Sequence, residues 1–423
     1  MRDVPAIPET GSFVLVNATL FPPSGVEAAL EKNELYVKDG KFSASHDGPK
    51  VDIGGAMVLP IFTDMHTHLD KGHIWPRAAN PDGTFDSALT TVQNDRQANW
   101  NAADVRRRME FALTCAYQHG TCAVRTHLDS AAPQHRISWP VFNEVREKWK
   151  DRIALQAVTI FGIELMDDLS QFDDIADIAA DFGGILGSVT YPLADLDTRL
   201  DKFFAAAAAR DMDTDFHVDE TRDPNSATLR QIAESALRVG FQGRIVAGHC
   251  CSLARQNADE VSRTLDLVKQ ANISIVSLPM CNLYLQDRIA RQTPRWRGVT
   301  LVHEMRTREI PVAFASDNTR DPFYAYGDLD MIEVMREATR ICHLDHSEHS
   351  WHDSFTATPA QICSFGDCRW HPNEPANFII CRARNWSEFF SRPQSDRIVV
   401  RNGRVIDRRL PDYDELDDLM VTQ

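Results

Sequence analysis

Two histidines separated by one residue, His66 and His68, end an apolar stretch that reads Leu-Pro-Ile-Phe-Thr-Asp-Met-His-Thr-His. On a β-strand, residues i and i+2 point to the same side, so this pair can present two imidazoles to one ion. The pattern alone is a weak indication of a metal site, because two unrelated polar side chains also produce it. The rest of the chain must supply further ligands before a metal site can be inferred.

Three more residues with metal-binding side chains follow later strand-like stretches. They are His217 in Phe-His-Val-Asp-Glu, His249 in Ala-Gly-His-Cys and Asp317 in Phe-Ala-Ser-Asp-Asn. In a (β/α)8 barrel the carboxyl ends of the strands meet at one mouth, so residues distant in sequence become neighbours there. Imidazoles combined with a carboxylate suit zinc or ferrous iron better than calcium or magnesium. The sequence therefore predicts one divalent metal ion, Zn²⁺ or Fe²⁺.

The middle of the chain alternates helix and strand patterns, which would position such ligands. Residues 104–119 place apolar side chains on one helical face and stop at Gly120, and residues 231–239 and 260–271 repeat the pattern. Strands are expected at residues 62–68, 121–128, 153–158, 184–191, 214–218, 244–249, 273–277 and 311–316. Periodicity alone also fits an open doubly wound sheet, but metal-type residues at the strand ends favour a closed parallel barrel.

Both ends of the chain carry short strand patterns, at residues 12–21, 34–42, 376–381 and 397–405. Asp39-Gly40 and Asn402-Gly403 interrupt two of these segments and are typical of tight hairpin turns. We therefore predict an α/β protein, a (β/α)8 TIM barrel with a small β-sandwich domain built from both termini. The predicted domains are the β-sandwich, residues 1–60 plus 370–423, and the metal-dependent catalytic barrel, residues 61–369.

Composition limits the classes of partner. Of 423 residues, 43% are hydrophobic and 25% are charged, the balance of a globular protein with enough apolar mass for a core. A formal charge of −16 disfavours nucleic acid and anionic membranes, and no apolar stretch approaches the length of a membrane span. Nine cysteines, an odd number without a CxxC pair, favour a reducing cytoplasm.

Five stretches of the chain resemble the cytosine deaminase branch of the amidohydrolase superfamily. They are Leu-Pro-Ile-Phe-Thr-Asp-Met-His-Thr-His-Leu-Asp at 59–70, Val-Arg-Thr-His-Leu-Asp at 124–129, His-Val-Asp-Glu at 217–220, Asn-Leu-Tyr-Leu-Gln at 282–286 and Asp-Asn-Thr-Arg-Asp-Pro-Phe-Tyr-Ala-Tyr-Gly at 317–327. The resemblance implies four metal ligands, His66, His68, His217 and Asp317. It moves His249 out of the ligand set, because four protein ligands and a water already fill a five-coordinate site.

The resemblance also implies catalytic and substrate-binding roles. Glu220 would be the acid/base, His249 a polarising group and Gln156 a substrate-binding amide, while Asp317 accepts a proton from the attacking water. Each has a structural alternative: a solvated loop carboxylate for Glu220, a buried partnered histidine for His249 and a backbone-satisfying amide for Gln156. From its chemistry, Phe323 can cover a flat ring or simply pack. The roles of Arg125 and His127 stay open.

Two positions depart from the cytosine deaminase pattern. Asn318 follows Asp317 where the resembling enzymes carry a second aspartate, so a neutral amide stands where an exocyclic amino group is expected. Lys71 follows His-Thr-His-Leu-Asp, and together with Asn318 it is similar to the enzyme that removes isopropylamine from N-isopropylammelide. A cation there favours an acidic, oxo-rich ring, whereas Glu220 is similar to the cytosine-type site. We expect Asn318 and Lys71 to contact the substrate.

The resemblance therefore implies a metal-dependent hydrolytic deaminase of a small amino-substituted heterocycle, with cytosine or a related pyrimidine as the first expectation. The alternatives are an N-substituted aminotriazine (ammelide-type) aminohydrolase and an isocytosine/isoguanine-type deaminase. Hydantoinase-like relatives usually use two metals bridged by a modified lysine, and residues 184–191 contain no lysine. A barrel that only binds a ligand is disfavoured by Glu220 and the full ligand set. Relatives of this kind commonly form homo-oligomers, which we also expect.

Overall fold

The computed structural model describes residues 6–21, 33–45, 47–347, 350–365 and 370–421. Within these ranges the strands are β1 (Phe13–Val16), β2 (Thr19–Leu20), β3 (Leu35–Lys38), β4 (Lys41–Ser43), β5 (Lys50–Asp52), β6 (Met57–Pro60), β7 (Phe62–Thr67), β8 (Thr121–Asp129), β9 (Ala154–Ile160), β10 (Leu186–Thr190), β11 (Thr214–Val218), β12 (Ile245–His249), β13 (Ile273–Ser277), β14 (Val312–Phe314), β15 (Phe378–Cys381), β16 (Ile398–Arg401) and β17 (Arg404–Val405). The α-helices are α1 (Phe85–Asn99), α2 (Ala102–His119), α3 (His135–Trp149), α4 (Leu169–Asp181), α5 (Leu196–Ala209), α6 (Thr228–Val239), α7 (Ala258–Gln270), α8 (Pro279–Leu285), α9 (Val302–Thr307), α10 (Met331–Cys342), α11 (Ala357–Cys363) and α12 (Trp386–Ser391).

Strands β7 to β14 form two parallel sheets, in the orders β7-β8-β9 and β10-β11-β12-β13-β14. Isolated parallel bridges connect their edges: Val158 pairs with Ile185 between β9 and β10, and Thr67 pairs with Asp317, just after β14. Helices α2 to α7 alternate with the strands from β7 to β13. The predicted parallel α/β alternation is therefore confirmed.

Helix α2 illustrates why these segments are helical. The side chain of Asn101 accepts hydrogen bonds from the backbone nitrogens of Ala103 and Asp104, which caps the first turn. Apolar side chains at helical spacing are buried along one face. Gly120 ends the helix with φ 101°, and an added Cβ there would lie 2.5 Å from Cδ1 of Ile379. Of the helices in the described ranges, none has the length and apolar character needed to cross a membrane.

Two further sheets are ordered β4-β3-β1-β5, from the N-terminal part of the chain alone, and β17-β16-β15-β6-β2, in which strands from both ends of the chain pair. Strand β6 pairs antiparallel with β15, so that Leu59 lies opposite Ile379. Side chains from both sheets share one buried apolar cluster, with Phe13 from the first sheet and Phe378 from the second. The pairing of β6 with β15 shows that both ends of the chain contribute strands to the second of these sheets.

The predicted hairpin turns are present. Asp39 and Gly40 join β3 to β4 with φ values of 51° and 79°, and Asn402 and Gly403 join β16 to β17 with φ values of 50° and 69°. Two consecutive positive φ values match the twist of antiparallel hairpins. The apolar stretch near the N-terminus is not one strand, because Asn17, with φ 56°, separates β1 from β2 and sends them to different sheets.

The last described residues leave the sheet of β17 and return to the helical layer. They form a short 3₁₀ helix, Tyr413–Leu419, whose Leu416 is buried against Phe111 and Cys115 of α2. Arg107 on α2 forms an ion pair with Asp418. The C-terminal tail therefore fastens to the same helix that leads into β8.

Candidate metal centre and active site

The predicted metal ligands meet at the carboxyl ends of the parallel strands. His66 lies in β7, His68 follows it, His217 lies in β11 and Asp317 follows β14. Nε2 of His217 lies 3.2 Å from Nε2 of His66 and 3.4 Å from Nε2 of His68. Oδ1 of Asp317 lies 3.2 Å from Nε2 of His68. The structure brings all four buried side chains to one centre.

These separations fit a shared ion. Divalent metals such as zinc bind nitrogen and oxygen ligands at about 2.0–2.2 Å, which leaves neighbouring ligand atoms roughly 3–3.5 Å apart. Both carboxylate oxygens of Asp317 are buried without a hydrogen-bond partner in the described part of the chain. Buried acceptors without donors are costly, and a cation at this centre would remove that cost. The four residues can therefore hold one divalent metal ion.

Burial keeps the three imidazoles neutral. The pKa values of His66, His68 and His217 lie well below their usual range, because burial disfavours the charged ring and nearby positive groups add to the effect. A neutral imidazole offers the lone pair that a metal requires. Burial raises the pKa of Asp317 to about 7, and a bound cation would oppose that shift by favouring the carboxylate.

Contacts between β7 and the segment after β14 hold Asp317 beside His66. The backbone nitrogen of Asp317 donates to the carbonyl oxygen of His66 at 2.9 Å. The carboxylate of Asp64 accepts hydrogen bonds from the hydroxyl and, at 3.1 Å, from the backbone nitrogen of Ser316. Gly248 leaves space for the imidazole of His66, since an added Cβ at residue 248 would lie 3.1 Å from Cε1 of that ring.

Glu220 and His249 lie together beside the ligands, and Asn282 connects them. Nδ2 of Asn282 lies 3.1 Å from Oε1 of Glu220 and 3.0 Å from Nδ1 of His249. Burial, followed by the charge of Asp317, raises the pKa of Glu220 well above its usual range. Asn282 was not singled out from the sequence as a functional residue, although it opens the motif at 282–286.

A cavity of about 430 Å³ opens beside the metal ligands. The residues predicted from sequence that line it are His68, Lys71, His217, Glu220, His249, Asn318 and Phe323. Much of the remaining wall is apolar and comes from α1 and from the ends of β9 and β10: Phe85, Leu89, Val92, Ile160, Phe161, Val189 and Tyr191. The cavity therefore combines a few polar groups near the metal ligands with an apolar surface suited to a flat ring.

Lys71 is buried in the wall of this cavity. Its side chain is 6% exposed, and Nζ lies 3.6 Å from Oδ2 of Asp129 and 5.1 Å from the ring centroid of Phe323. Arg96 donates to the other oxygen of Asp129 at 2.8 Å. Burial alone would lower the pKa of Lys71, but Asp129 and further carboxylates outweigh it and raise the pKa, so the ammonium group is charged.

Asn318 also lines the cavity, and the protein fixes its orientation. Nδ2 of Asn318 donates to Oδ2 of Asp321 at 2.7 Å, and Sγ of Cys281 lies 3.6 Å from Oδ1 of Asn318. Asp321 lies inside the motif at 317–327 but was not predicted to matter, since a carboxylate three residues away carries no distinctive sequence pattern. The amide of Asn318 therefore has a defined direction in the cavity wall.

Gln156 is the exception among the predicted substrate contacts. It lies near the start of β9, whereas Ile160 and Phe161 at the other end of that strand line the cavity. Oε1 of Gln156 accepts hydrogen bonds from Nε and Nη2 of Arg125 at 3.2 and 3.0 Å, and Nε2 donates to the carbonyl oxygen of Cys363 at 2.6 Å. Because the amide is satisfied within the protein and away from the cavity, the expectation that Gln156 binds substrate is corrected.

Comparisons with known proteins agree with this geometry. The amidohydrolase family model matches residues 119–407. A pterin deaminase from Rhizobium rhizogenes strain K84 is 54% identical over an alignment that covers 98% of each chain. An N-isopropylammelide isopropyl amidohydrolase from Pseudomonas sp. strain ADP is 23% identical over 67% of this chain and 68% of that protein.

The fold is also similar to that of a solved structure. The crystal structure of 5-methylcytosine deaminase from Klebsiella pneumoniae, liganded with 5-fluorocytosine, is 25% identical, with a TM-score of 0.79. The match covers 94% of this chain and 98% of that one. The chain therefore belongs to the amidohydrolase family, and it is a hydrolase that acts on carbon–nitrogen bonds.

Proposed function

We propose that this amidohydrolase is a metal-dependent deaminase that hydrolyses the amino group of a pterin-type heterocycle and releases ammonia. The observation that carries the proposal is the 54% identity to a pterin deaminase along nearly the whole of both chains. The first expectation from sequence, cytosine, is revised for that reason, since the 5-methylcytosine deaminase is 25% identical. The broader class, hydrolytic deamination of an amino heterocycle, is common to both relatives.

A pterin substrate agrees with the isocytosine/isoguanine-type deaminase that the sequence analysis gave as an alternative. The amino-bearing carbon of a pterin lies in a 2-amino-4-oxopyrimidine ring, the same unit as isocytosine. A second fused ring needs space beyond that unit. The cavity of about 430 Å³ adjoins another of about 370 Å³, and the two share Phe85, Val189 and Tyr191 in their walls. This space supports a substrate larger than a single pyrimidine.

The cavity walls supply groups to orient such a ring. Phe323 offers a flat apolar face, and the charged Nζ of Lys71 next to it can donate to the oxo group of the substrate. Asn318, fixed by Asp321, would lie near the amino group or an adjacent ring nitrogen. The apolar residues of α1 then exclude water from the outer ring.

The residues around the metal ligands can move the required protons. A divalent metal bound by these ligands would lower the pKa of a water molecule from about 15.7 towards about 7. Asp317 accepts the proton of the attacking water, and Glu220 donates a proton to the ring nitrogen next to the attacked carbon. His249 donates from Nε2 to the oxygen that develops charge on that carbon. When the carbon–nitrogen bond breaks, the amino group takes up the proton held by Asp317 and leaves as ammonia, and the proton of the new hydroxyl group passes to Glu220, which leaves the oxo product and restores the acid.

We further propose that the parallel strands close into a (β/α)8 barrel formed by residues 61–369, and that residues 1–60 and 370–423 form a β-sandwich. The bridges between Val158 and Ile185 and between Thr67 and Asp317 support closure. The apolar cluster shared by the two terminal sheets supports the sandwich. Parts of both proposed domains, residues 1–5, 22–32, 46, 348–349, 366–369 and 422–423, lie outside the described residues.

We propose one zinc or ferrous ion per chain, since three imidazoles and a carboxylate suit these metals. The odd number of cysteines and the lack of a CxxC pair support a reducing cytoplasm. Assembly into homo-oligomers stays a proposal that size measurement of the purified protein would test.

The experiment that tests the function is an ammonia-release assay on the metal-loaded protein. Pterin and 6-substituted pterins should have the highest kcat/KM, followed by isocytosine and isoguanine. Cytosine, 5-methylcytosine and N-isopropylammelide are the competing substrates, with alkylamine release followed in parallel for the last. A higher kcat/KM for any competing substrate would replace the pterin proposal. Metal analysis should find close to one ion per chain, and chelation should abolish activity.

A further inference from the structure

A second group of polar side chains is buried next to the metal ligands, and no step proposed above uses it. It consists of Arg125 and His127 in β8 and Asp215 in β11, where Asp215 precedes the ligand His217 by two residues. Each of the three is at most 2% exposed. Both ring nitrogens of His127 and Oδ1 of Asp215 lack a hydrogen-bond partner among the described residues. Such groups are rare in protein interiors and call for a physical explanation.

The geometry connects this group to the first metal ligand. Nη1 of Arg125 donates to Oδ2 of Asp215 at 2.9 Å, and Oδ1 of Asp215 lies 3.6 Å from Nε2 of His127. The ring of His127 packs edge to face against the ring of His66, with centroids 3.9 Å apart. His66, His127 and Asp215 each place one ligand-type atom within 4.8 Å of the others. The chain of contacts thus runs from Arg125 through Asp215 and His127 to His66.

This set could be taken for a second cation site, but its charge argues against that. Arg125 is buried and bonded directly to the carboxylate of Asp215, so the negative charge that a cation needs is already balanced. A second ion would share that carboxylate with a guanidinium group in a dry environment, where like charges repel strongly. The group is better suited to holding an imidazole than a metal.

His66 needs such support. Its Nε2 faces His217 and Asp317, at 3.2 and 3.6 Å, so its proton belongs on Nδ1 when Nε2 binds a metal. Metal-binding imidazoles depend on surrounding groups that fix their tautomer and ring orientation. Gly248 allows close approach on one side of the His66 ring, and the ring of His127 packs against it.

We propose that Asp215 and His127 are positioning residues for the metal centre. Asp215, held by Arg125, sets the orientation of His127, and the ring of His127 keeps Nε2 of His66 directed at the metal. Neither residue touches the substrate. The proposal rests on the metal centre of the proposed function, but not on the identity of the heterocycle.

The test measures metal affinity rather than turnover. Apo protein carrying Asp215→Asn is titrated with Zn²⁺ against a competing chelator, and the visible spectrum of the Co²⁺ form is recorded. We expect the Zn²⁺ dissociation constant to rise 10- to 100-fold, with an altered Co²⁺ spectrum. His127→Gln should have the same effects, and Asp215→Glu should recover part of the affinity.

The chain offers a matched control, because a second Arg-Asp-His set lies away from the cavity. Arg397 contacts Asp330 at 2.5 Å, and Nδ1 of His119 lies 3.6 Å from Oδ2 of Asp330. Asp330→Asn removes the same charge from a similar set, so it should leave Zn²⁺ affinity and the Co²⁺ spectrum unchanged. Circular dichroism confirms which variants are folded.

Two outcomes separate this inference from the proposed function. Folded Asp215→Asn and His127→Gln with wild-type Zn²⁺ affinity and Co²⁺ spectrum would overturn the positioning role alone. If either variant does not fold, Arg125→Lys, which keeps the charge, takes its place under the same criteria. Wild-type protein that binds no divalent metal would overturn both the proposed function and this inference.

Discussion

The side-chain nitrogen of Asn282 lies 3.0 Å from Nδ1 of His249. An amide nitrogen only donates, so Nδ1 of His249 must accept and the ring proton must lie on Nε2. Nε2 has no partner in the described structure, and His249 lines the cavity. Asn282 therefore selects the tautomer of His249 that can donate a hydrogen bond to the reacting oxygen.

Replacing Asn282 by aspartate should reverse that tautomer. A carboxylate would accept from Nδ1 of His249 and leave Nε2 as an acceptor, unable to stabilise negative charge on oxygen. We expect kcat/KM to fall by about 10²–10³, the loss typical of removing one such donor, while metal content is unchanged. Steady-state kinetics with parallel metal analysis checks this. An Asn282→Asp enzyme with wild-type kcat/KM would remove His249 from the mechanism.

Glu220→Gln should abolish most of the activity without loss of metal. The amide keeps the size and the contact with Asn282 but cannot transfer a proton, so kcat should fall by about 10²–10⁴. The matched control is Glu164→Gln, in the wall of the same cavity, where the carboxylate accepts a hydrogen bond from Tyr191. Its kcat should stay within a few fold of wild type. Equal losses in both variants would point to general damage to the cavity.

Asn318→Asp tests whether the hydrogen bond from Asn318 to Asp321 orients the side chain at position 318. The new carboxylate would face Asp321, which now accepts a hydrogen bond from Asn318 at 2.7 Å, so two buried acceptors would oppose each other. We expect kcat/KM on the best substrate to fall at least tenfold. The double change Asn318→Asp with Asp321→Asn restores one donor and one acceptor and should recover part of the loss. No recovery would mean that the amide acts on the substrate rather than through Asp321.

The ion pair of Asp330 with Arg397 should make stability depend on pH. Burial alone would raise the pKa of Asp330, but Arg397 outweighs it and lowers the pKa below its usual value. The ionised carboxylate of Asp330 therefore stabilises the folded state at pH values above the ordinary aspartate pKa of about 3.9. This stabilisation is lost as the pH falls through the lowered pKa of the folded state. Urea unfolding should show Asp330→Asn less stable by about 3 kcal/mol at pH 7. That difference should shrink below pH 4, and a constant difference would contradict the assignment.

How far the sequence predicts this protein differs between the fold and the site. Helix α2 and the turns at Asp39-Gly40 and Asn402-Gly403 follow from local rules, so their positions were predictable. The ligands at strand ends were predictable because parallel strands direct their carboxyl ends to one edge. Gln156 lies near the start of β9, away from the cavity, where its amide is satisfied by Arg125 and by the carbonyl oxygen of Cys363, a residue more than two hundred positions later that the sequence alone could not place beside it.

Residues that act through others were harder to predict. Asn282 contacts the catalytic Glu220 only after two segments 62 residues apart in sequence meet. Asp321 is three residues from Asn318, but its hydrogen bond depends on the conformation of the loop after β14. The burial of Lys71 likewise depends on Asp129, contributed by another strand. Such roles come from tertiary neighbours, which a single sequence does not reveal.

The pairing of β6 with β15 has a consequence for synthesis of the chain. β6 runs directly into β7, the strand that carries His66, yet its antiparallel partner spans Phe378–Cys381, more than three hundred residues later. A growing polypeptide cannot complete this pairing until almost all of it has left the ribosome. Folding must therefore close a very long loop late in translation. A ribosome-bound fragment without β15 lacks the antiparallel partner of β6, the strand that leads into the first metal-binding strand.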